Sequence, residues 1–297
     1  MKINIQESCP RDGWQNHREF IPTDVKVKYI LQMLDYGAKN LEVTSFVNPK
    51  IMPQMVDAAE VISAVKPMAK EKGCKLSALA LNSRGAEQAL NAGADVLEFV
   101  LSASEEHNLR NSHRSLAESV QQFKGLVGHK YEAEIVLAIA CFFGSPFGDE
   151  ITTQRMKWIL EEAMSVGVTK FGLADTAGIC NPMHMRHTLQ FLKEMIPAEN
   201  ISIHLHDTYG MGIANAYVAL EEGFVNFDAA LAGMGGCPFA LGAKGNIATE
   251  DLVYLCDKLG YKTDYDLSRL VKVSHNMCSE IGAQNRSTVS KAMNCAG

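Results

Sequence analysis

Residues 36–46 read Tyr-Gly-Ala-Lys-Asn-Leu-Glu-Val-Thr-Ser-Phe, a helix-ending glycine followed at once by a β-rich run. The same order of helical pattern, glycine and strand recurs at residues 91–102, 165–176 and 221–233. No exact sequence repeat accompanies it, so what recurs is the architecture. Each copy is the helix-to-strand half of a βα unit, and such units in series predict a parallel sheet covered by helices.

Eight segments of the chain are predicted strands, and helical patterns with apolar residues three and four apart lie between them. Eight strands in this alternation predict an α/β fold of the (β/α)8 TIM-barrel type. A doubly wound open sheet is the alternative, but residues 8–16 after the first strand are not the glycine-rich loop that such a sheet usually carries. The predicted strands are Lys2–Glu7, Asn40–Thr44, Lys75–Leu81, Asp95–Ser102, Glu134–Phe142, Lys170–Asp175, Ile201–His206 and Phe227–Ala232.

The composition predicts one globular domain. Of the 297 residues, 47% are hydrophobic and 21% are charged, which is enough apolar surface for a large core and excludes a mainly disordered protein. We predict a single catalytic domain over residues 1–297, in which residues 260–297 form a helical extension packed on the barrel. The net charge of −6 disfavours nucleic acid as a partner. No stretch approaches the ~20 apolar residues of a membrane span, so a membrane is not an expected partner either.

Eight cysteines are scattered along the chain and none forms a CxxC pair, so neither a zinc knuckle nor a thioredoxin-type motif is predicted. Scattered free thiols are typical of a reducing compartment. The first residues, Met-Lys-Ile-Asn-Ile, lack the apolar core of a secretory signal. We therefore predict a cytoplasmic protein.

Polar residues follow several predicted strands at the end where a TIM barrel has its active site. The strands concerned are the first, second, seventh and eighth, which are neighbours in a closed barrel. Polar residues with purely structural roles would not be expected to gather on one arc of one rim. In chain order these residues are Arg11, Asp12, Glu42, His204, His206, Cys237 and Asn246.

The His-Leu-His triplet at residues 204–206 is the sharpest local signal. Residues i and i+2 of a strand face the same side, so both imidazoles are expected to point into the barrel mouth. The triplet alone fits a pair of core histidines equally well. Asp12 on the adjacent wall and Asn246 favour a divalent metal site instead. Asp207, which follows, is predicted to cap the next helix rather than to orient a histidine.

Arg11 and Glu42 each place a charge where the barrel core is expected. A guanidinium there would hold a carbonyl oxygen that gains negative charge during a reaction, or form a salt bridge with Glu42 or Asp12, and the two roles are compatible. A carboxylate in the otherwise apolar run Leu-Glu-Val needs a partner. For Glu42 we expect support of the site rather than direct catalysis.

Residues 233–246 form a glycine-rich loop that is too irregular for a phosphate-binding loop. Glycine at this density predicts a lid over a bound substrate. Cys237 within it is either an acid/base thiol or a loop cysteine without a chemical task, and the local sequence does not separate the two.

The same residues carry a family resemblance. The chain resembles the 3-hydroxy-3-methylglutaryl-CoA (HMG-CoA) lyases, within the DRE-TIM metallolyase group, nearly from end to end. The Gly-Gly-Cys-Pro loop is highly specific to the lyases, whereas related synthases and aldolases share only the Arg-Asp and His-x-His elements. The matching segments are Pro10-Arg-Asp-Gly-Trp-Gln-Asn16, Thr44-Ser-Phe-Val-Asn-Pro-Lys50, Pro53-Gln-Met55, His204-Leu-His-Asp-Thr-Tyr-Gly210 and Gly235-Gly-Cys-Pro-Phe-Ala-Leu-Gly-Ala-Lys-Gly-Asn-Ile-Ala-Thr-Glu-Asp251.

The resemblance implies a (β/α)8 barrel, assembled as a homodimer, that uses Mg²⁺ or Mn²⁺. It implies cleavage of an acyl-CoA substrate, HMG-CoA, to acetyl-CoA and acetoacetate by a retro-aldol or Claisen-type step. Arg11 would then hold the thioester carbonyl and its enolate, and Cys237 would act on the closing loop. The implied metal ligands are Asp12, His204, His206 and Asn246. The implied catalytic residues are Arg11, Glu42, His204 and Cys237, and the implied substrate-binding residues are Arg11, Gln15 and Ser45.

The implied reaction requires what these side chains offer. A tertiary alcohol β to a thioester loses its hydroxyl proton as the carbon–carbon bond breaks, and a metal lowers the pKa of that alcohol. The departing enolate needs a cation, which Arg11 supplies. The sequence leaves open whether Cys237 or a metal-site histidine protonates the enolate carbon.

Three positions depart from the family pattern. Trp14 stands where Leu is frequent, so it either reshapes the pocket or packs at the rim, and we favour packing. Residues 144–147 read Gly-Ser-Pro-Phe in place of Gly-Cys-Pro-Tyr. Ser287 stands where Lys is frequent, which puts one contact with coenzyme A in doubt. These departures leave the acyl group open, with citramalyl-CoA as the alternative to HMG-CoA.

Three other functions fit the chain less well. Acetyl-CoA-dependent condensing enzymes of the same superfamily usually carry C-terminal accessory regions, which 297 residues cannot hold. Metallohydrolase barrels of the amidohydrolase type place His-x-His after the first strand rather than the seventh. A non-catalytic binding protein would not need the complete set of lyase residues.

Overall fold

The computed structural model describes residues 1–129, 131–236 and 245–294. Eight parallel strands close into a barrel in chain order, because β1 pairs with both β2 and β8. The prediction of a (β/α)8 barrel is confirmed. The strands are β1 Asn4–Glu7, β2 Asn40–Phe46, β3 Lys75–Ala80, β4 Val96–Ser102, β5 Glu134–Ala140, β6 Lys170–Asp175, β7 Ile201–Leu205 and β8 Asn226–Ala229.

Helices alternate with the strands and cover the outside of the barrel. Short helical turns lie at Cys9–Gly13, Pro53–Met55, Ala198–Asn200 and Leu231–Gly233. In the described residues, no helix combines the length and the apolar character that crossing a membrane requires. The helices are α1 Thr23–Asp35, α2 Ala58–Lys72, α3 Ser83–Ala92, α4 Glu105–Ser112, α5 Leu116–Val127, α6 Thr153–Met164, α7 Pro182–Lys193, α8 Gly212–Glu221, α9 Thr249–Lys258, α10 Leu267–Ile281 and α11 Thr288–Asn294.

The last two helices pack against the barrel's own elements. Lys28 and Tyr29 of α1 both donate to Glu280 Oε2 of α10, each at 2.5 Å. The backbone N–H of Arg286, between α10 and α11, donates to Ala232 O at 2.9 Å. These bonds tie the C-terminal segment to the first helix and to the turn after β8.

Strand ends differ from the predicted bounds where buried carboxylates bind the backbone. The prediction extends the eighth strand to residue 232, but Leu231–Gly233 is a helical turn. Leu231 N donates to Glu7 Oε1 at 2.8 Å, and Ala232 N donates to Glu250 at 3.0 Å. The backbone therefore leaves the sheet ladder, and its N–H groups donate to these two carboxylates instead.

At β7, His206 lies one residue beyond the strand and forms an isolated bridge with Asn246.

The glycine that opens the repeated strand pattern has a steric role that can be tested. Gly37 has φ 115°, and a Cβ there would lie 1.9 Å from Asp264 O, whereas Gly73 has φ 64° and nothing within 4 Å. We expect Gly37→Ala to lower the free energy of unfolding by more than about 2 kcal/mol, because backbone strain adds to a clash with main chain. Gly73→Ala adds strain alone and is expected to cost about 1 kcal/mol. Urea unfolding measures both, and equal losses would contradict this account.

The strand registers decide which side chains face the lumen. His204 pairs with Ala174 of β6 and with Asp228 of β8. Paired residues of neighbouring strands face the same side of the sheet, so following the pairs from strand to strand identifies the residues that face the lumen. TIM-barrel interiors are usually filled by branched apolar residues. Here the middle of the lumen is largely polar, so it cannot be a plain apolar core. The polar residues at this level are Gln6, Glu42, Ser77, Glu98, Ser202 and Asp228.

Candidate active site

A wide turn after β1 places two charged side chains over the barrel mouth. Ser8 O accepts hydrogen bonds from the backbone N–H groups of Arg11, Asp12 and Gly13, at 3.2, 2.8 and 3.2 Å. Pro10 within the turn has no N–H to donate, which suits a turn of this width. Arg11 and Asp12 consequently lie side by side at the C-terminal end of the strand, as the sequence predicts for a barrel enzyme.

Asp12 meets both histidines of the triplet. His204 Nε2 and His206 Nε2 lie 3.2 Å apart, and His206 Nε2 lies 3.7 Å from Asp12 Oδ2. The donor atoms of the three residues all lie within 4.8 Å of one another. Two imidazole nitrogens at this separation need a proton or a cation between them. Neighbouring ligands on an octahedral ion are about 3 Å apart, so the spacing fits a divalent metal.

Asn246 packs against the same cluster, and its predicted role as a metal ligand stays a prediction. Its Nδ2 donates to Asp12 Oδ2 at 2.6 Å and to Met234 O at 3.0 Å. Its Oδ1 is buried, and no donor among the described residues reaches it. Gly235 makes this packing possible, because a Cβ there would lie 2.5 Å from Asn246 Nδ2. Two imidazoles and a carboxylate form a donor set that suits a divalent metal.

Arg11 is held between two carboxylates. Its Nε donates to Glu42 Oε1 at 2.5 Å, and its Nη1 donates to Asp12 Oδ1 at 2.7 Å. Burial opposes the charge on Asp12, but Arg11 and the histidines outweigh it and hold the pKa of Asp12 well below its ordinary value. Burial raises the pKa of Glu42 to about 8, with Arg11 opposing the rise and Glu98 adding to it. Asp12 is therefore ready to bind a cation.

Comparison with known proteins decides the family. A family model described as HMGL-like matches residues 2–277. The chain belongs to the HMGL-like family.

Curated relatives and solved structures agree with this assignment. A mitochondrial hydroxymethylglutaryl-CoA lyase of Arabidopsis thaliana is 34% identical over 98% of this chain, which spans 62% of that relative's length. A Pseudomonas aeruginosa 3-hydroxy-3-isohexenylglutaryl-CoA/hydroxy-methylglutaryl-CoA lyase is 33% identical over 98% of this chain and 97% of the relative. An Acinetobacter baumannii HMG-CoA lyase, solved with coenzyme A and 3-methylmalate, is 36% identical with a TM-score of 0.93, over 98% of this chain and 95% of that one. The chain described here, as a member of the HMGL-like family, is a lyase.

Gln15 and Ser45, two further residues implied by the resemblance, differ in their contacts. Gln15 Nε2 donates to Asp12 Oδ1 at 2.7 Å, so it helps to hold the carboxylate. Ser45 faces the lumen from β2, beside Leu79 of β3. Its buried hydroxyl has no partner among the described residues, which leaves it available to a ligand. Their roles in substrate binding stay predictions.

Cys237 lies outside the described residues, and its acid/base role stays a prediction. The residues on either side of the stretch 237–244 are held at the rim. Asn16 Nδ2 donates to Gly236 O at 3.1 Å, and Asp207 N donates to Gly245 O at 2.8 Å. Gly236 and Gly245, the described residues on either side of this stretch, therefore both lie close to Asp12.

Two departures from the family pattern have structural explanations. Trp14 is 1% exposed and belongs to the apolar core, as the packing interpretation predicts. Ser287 is fully buried, and its Oγ donates to Asp251 Oδ1 at 2.7 Å and accepts from Ser290 N at 2.9 Å. It therefore helps to form the start of α11.

One further prediction and the remaining departure from the family pattern concern residues near the rim. Asp207 is not the N-cap residue of α8, which is Met211, but its Oδ1 accepts from Gly212 N at the start of that helix, at 2.8 Å. In the Gly-Ser-Pro-Phe segment, Ser145 Oγ donates to Ser104 Oγ at 3.0 Å, and the Phe147 ring lies 4.4 Å below the Arg110 guanidinium.

Sequence reasoning missed the carboxylate that orients His204. Asp228 Oδ2 lies 3.3 Å from His204 Nδ1, and Ser202 Oγ donates to Asp228 Oδ1 at 2.6 Å. An Nδ1–H that donates to Asp228 leaves the Nε2 lone pair directed at Asp12 and His206. The rule that selected Glu42, a carboxylate in an apolar strand, would also have selected Asp228 and Glu98.

Loss of this carboxylate should weaken metal binding. We expect Asp228→Asn to raise the Kd for Mn²⁺ by about 10–100-fold, because the amide no longer imposes one tautomer on His204. Calorimetric titration of the folded protein with Mn²⁺ measures the change. Asp24→Asn, an exposed carboxylate at the start of α1, is the matched control. Unchanged Mn²⁺ affinity in Asp228→Asn would show that Asp228 does not orient the ligand.

Proposed function

We propose that this chain is a metal-dependent carbon–carbon lyase that cleaves HMG-CoA to acetyl-CoA and acetoacetate. The observation that carries the proposal is the meeting of Arg11 with the donor cluster of Asp12, His204 and His206 on one rim. The relatives named above as HMG-CoA lyases support the same substrate. Citramalyl-CoA is the alternative thioester; Trp14, the departure from the family pattern that suggests it, packs in the core.

The residues that would hold a divalent cation are Asp12, His204, His206 and Asn246, and we propose Mg²⁺ or Mn²⁺. When bound, such a cation polarises the substrate hydroxyl and lowers its pKa. The chain keeps these donors in place through fixed hydrogen bonds. Gln15 and Arg11 bind one oxygen of Asp12, and Asn246 binds the other.

Arg11 is positioned to stabilise the leaving enolate. As the bond between C2 and C3 breaks, its electron pair passes to the acetyl-CoA enolate, and the C3 hydroxyl becomes the ketone of acetoacetate. Glu42 and Asp12 engage Nε and Nη1 of Arg11, so among the described contacts Nη2 is left to face the thioester oxygen. Glu42 accordingly serves to aim the guanidinium.

Two proton transfers accompany this cleavage. The hydroxyl proton must leave, and a proton must reach C2 of the enolate. Cys237 and His204 are the candidates for the proton at C2. Burial disfavours a charge on His204, but the hydrogen bond to Asp228 outweighs it and raises the pKa of His204.

We also propose that the protein is a homodimer and works in the cytoplasm. The dimer is supported by the family resemblance alone. The reducing compartment is supported by five free thiols among the described residues, those of Cys9, Cys74, Cys180, Cys256 and Cys278. Size-exclusion chromatography with light scattering tests the first proposal, and imaging of the tagged protein tests the second.

A coupled assay of acetyl-CoA release from HMG-CoA tests the proposed function. We expect release with Mg²⁺ or Mn²⁺, none with EDTA, and recovery when the metal is restored. No release from folded, metal-loaded protein would reject HMG-CoA as the substrate. A parallel assay with citramalyl-CoA decides between the two thioesters.

A further inference from the structure

His206, a member of the candidate metal cluster, lies opposite Asn246 in a short antiparallel bridge. Residues that face each other between the flanking hydrogen bonds of an antiparallel pair have the closest side chains. The position of His206 therefore depends on the segment that carries Asn246. The flanking bonds, of 2.8 and 2.9 Å, run from Asp207 N to Gly245 O and from Ile247 N to Leu205 O.

Ile247 anchors that segment in the core. Its side chain is 1% exposed and belongs to the apolar core of the barrel. Its carbonyl accepts a hydrogen bond from Ala230 N at 3.1 Å, and its own N–H donates to the end of β7. The segment therefore cannot move away from His206 without losing backbone bonds on both sides.

The first residue of α8, Gly212, packs directly against this bridge. A Cβ added to Gly212 would lie 2.4 Å from Ile247 Cγ2, 3.0 Å from Asp207 Oδ1 and 3.2 Å from His206 O. Gly212 begins a helix and does not have a positive φ, so its backbone conformation is open to any residue. Alanine is also the better helix former. The lack of space for a Cβ is therefore what requires glycine here.

The ring of His206 takes its position from this packing. Its Nδ1 is buried and has no hydrogen-bond partner among the described residues, whereas Nδ1 of His204 lies 3.3 Å from Asp228 Oδ2. Gly178 also packs against the backbone of His206, because a Cβ there would lie 2.8 Å from His206 O. The backbone around His206 is thus held closely while its ring lacks a carboxylate to orient it.

We infer that Gly212 is a positioning residue for His206, because the missing Cβ lets α8 pack on the bridge and so sets how His206 meets Asp12 and His204. This role rests on the metal site of the proposed function. The contact at 2.4 Å is 1.0 Å shorter than the 3.4 Å at which ordinary Cβ contacts begin. Metal–ligand distances tolerate only about 0.2 Å. A side chain at position 212 would therefore displace the bridge by more than a bound cation allows.

Gly212→Ala is expected to raise the Kd for Mn²⁺ by about 10–100-fold, as loss of an interaction that orients a ligand does. Calorimetric titration of the folded protein with Mn²⁺ measures the change, and circular dichroism checks the fold. Gly125→Ala is the matched control. Gly125 is an exposed helical glycine on α5, and a Cβ there would meet nothing within 4 Å, so the Kd should not change.

A second substitution at Ile247 separates displacement of the bridge from a general effect on folding. Leucine branches at Cγ and so removes the Cγ2 atom that a Cβ on residue 212 would meet, whereas valine keeps that branch. We expect Gly212→Ala with Ile247→Leu to bind Mn²⁺ within about twofold of Ile247→Leu alone. Gly212→Ala with Ile247→Val should stay about 10–100-fold weaker than Ile247→Val alone.

Unchanged Mn²⁺ affinity in Gly212→Ala overturns this inference. So does equal recovery with leucine and with valine, or no recovery with leucine, because the Cγ2 contact would then play no part. A wild-type protein that binds Mn²⁺ but releases no acetyl-CoA from HMG-CoA rejects the proposed reaction and leaves the role of Gly212 standing, since the readout is metal affinity. A wild-type protein that binds no Mn²⁺ or Mg²⁺ rejects the metal site and this role together.

Discussion

His206→Ala is expected to lose metal-dependent acetyl-CoA release by at least about a thousandfold. His206 Nε2 lies 3.2 Å from His204 Nε2 and 3.7 Å from Asp12 Oδ2, so its removal takes one of three mutually close donors from the cluster. A catalytic metal contributes several kcal/mol to transition-state stabilisation, and about 1.4 kcal/mol corresponds to tenfold in rate. Added Mg²⁺ should not restore activity at concentrations that saturate the wild type.

Mn²⁺ titration followed by electron paramagnetic resonance separates loss of metal from loss of chemistry. We expect the His206→Ala variant to show little bound Mn²⁺ and an unchanged circular dichroism spectrum. His184→Ala, an exposed histidine on α7, is the matched control and should behave as wild type. A His206→Ala variant that binds Mn²⁺ with wild-type affinity would contradict the assignment of His206 as a ligand.

Arg11→Met is expected to lower kcat by about 10²–10³-fold, because it removes the donor aimed at the developing enolate oxygen. The methionine side chain keeps part of the volume but cannot bind Glu42 or Asp12. KM for HMG-CoA should change less than kcat, since the contact strengthens as charge develops on the thioester oxygen. Steady-state kinetics at saturating Mg²⁺ measures both constants.

Arg11→Lys should not rescue the activity. One ammonium group cannot reproduce the planar fork that binds Glu42 through Nε and Asp12 through Nη1 while another N–H faces the substrate. The Kd for Mn²⁺ distinguishes two roles of Arg11. If Arg11→Met weakens Mn²⁺ binding as much as it lowers kcat, then Arg11 acts through Asp12 and not on the enolate.

The fold was predictable because short β-rich runs alternate with helical patterns, and at residues 36–46, 91–102, 165–176 and 221–233 a glycine separates the helix from the strand. Strand ends were less predictable. The backbone after β8 turns away from the sheet to bind Glu7 and Glu250, two carboxylates that lie at distant points of the chain. A local sequence pattern does not show that the acceptor for a backbone N–H group lies on a different strand or helix.

The candidate metal site was predictable for a similar reason. Alternation along a strand places residues 204 and 206 on one face, and the closed barrel brings the ends of β1 and β7 to the same rim. The roles of Trp14 and Ser287 were not decided by this logic, because packing in the core and a bond to Asp251 depend on neighbours that the sequence does not bring together.

The sequence by itself determined the barrel and predicted that Asp12, His204 and His206 meet at one rim, where the structure brings them together. The tertiary structure alone decided how those donors are oriented. Asp228 binds His204 across 24 positions of chain, Gln6 binds Glu98 across 92, and Asn246 binds Asp12 across 234. Periodicity reports which way a side chain faces on its own strand. The partner that fixes its tautomer, its charge or the space beside it belongs to another strand, and barrel closure selects that partner.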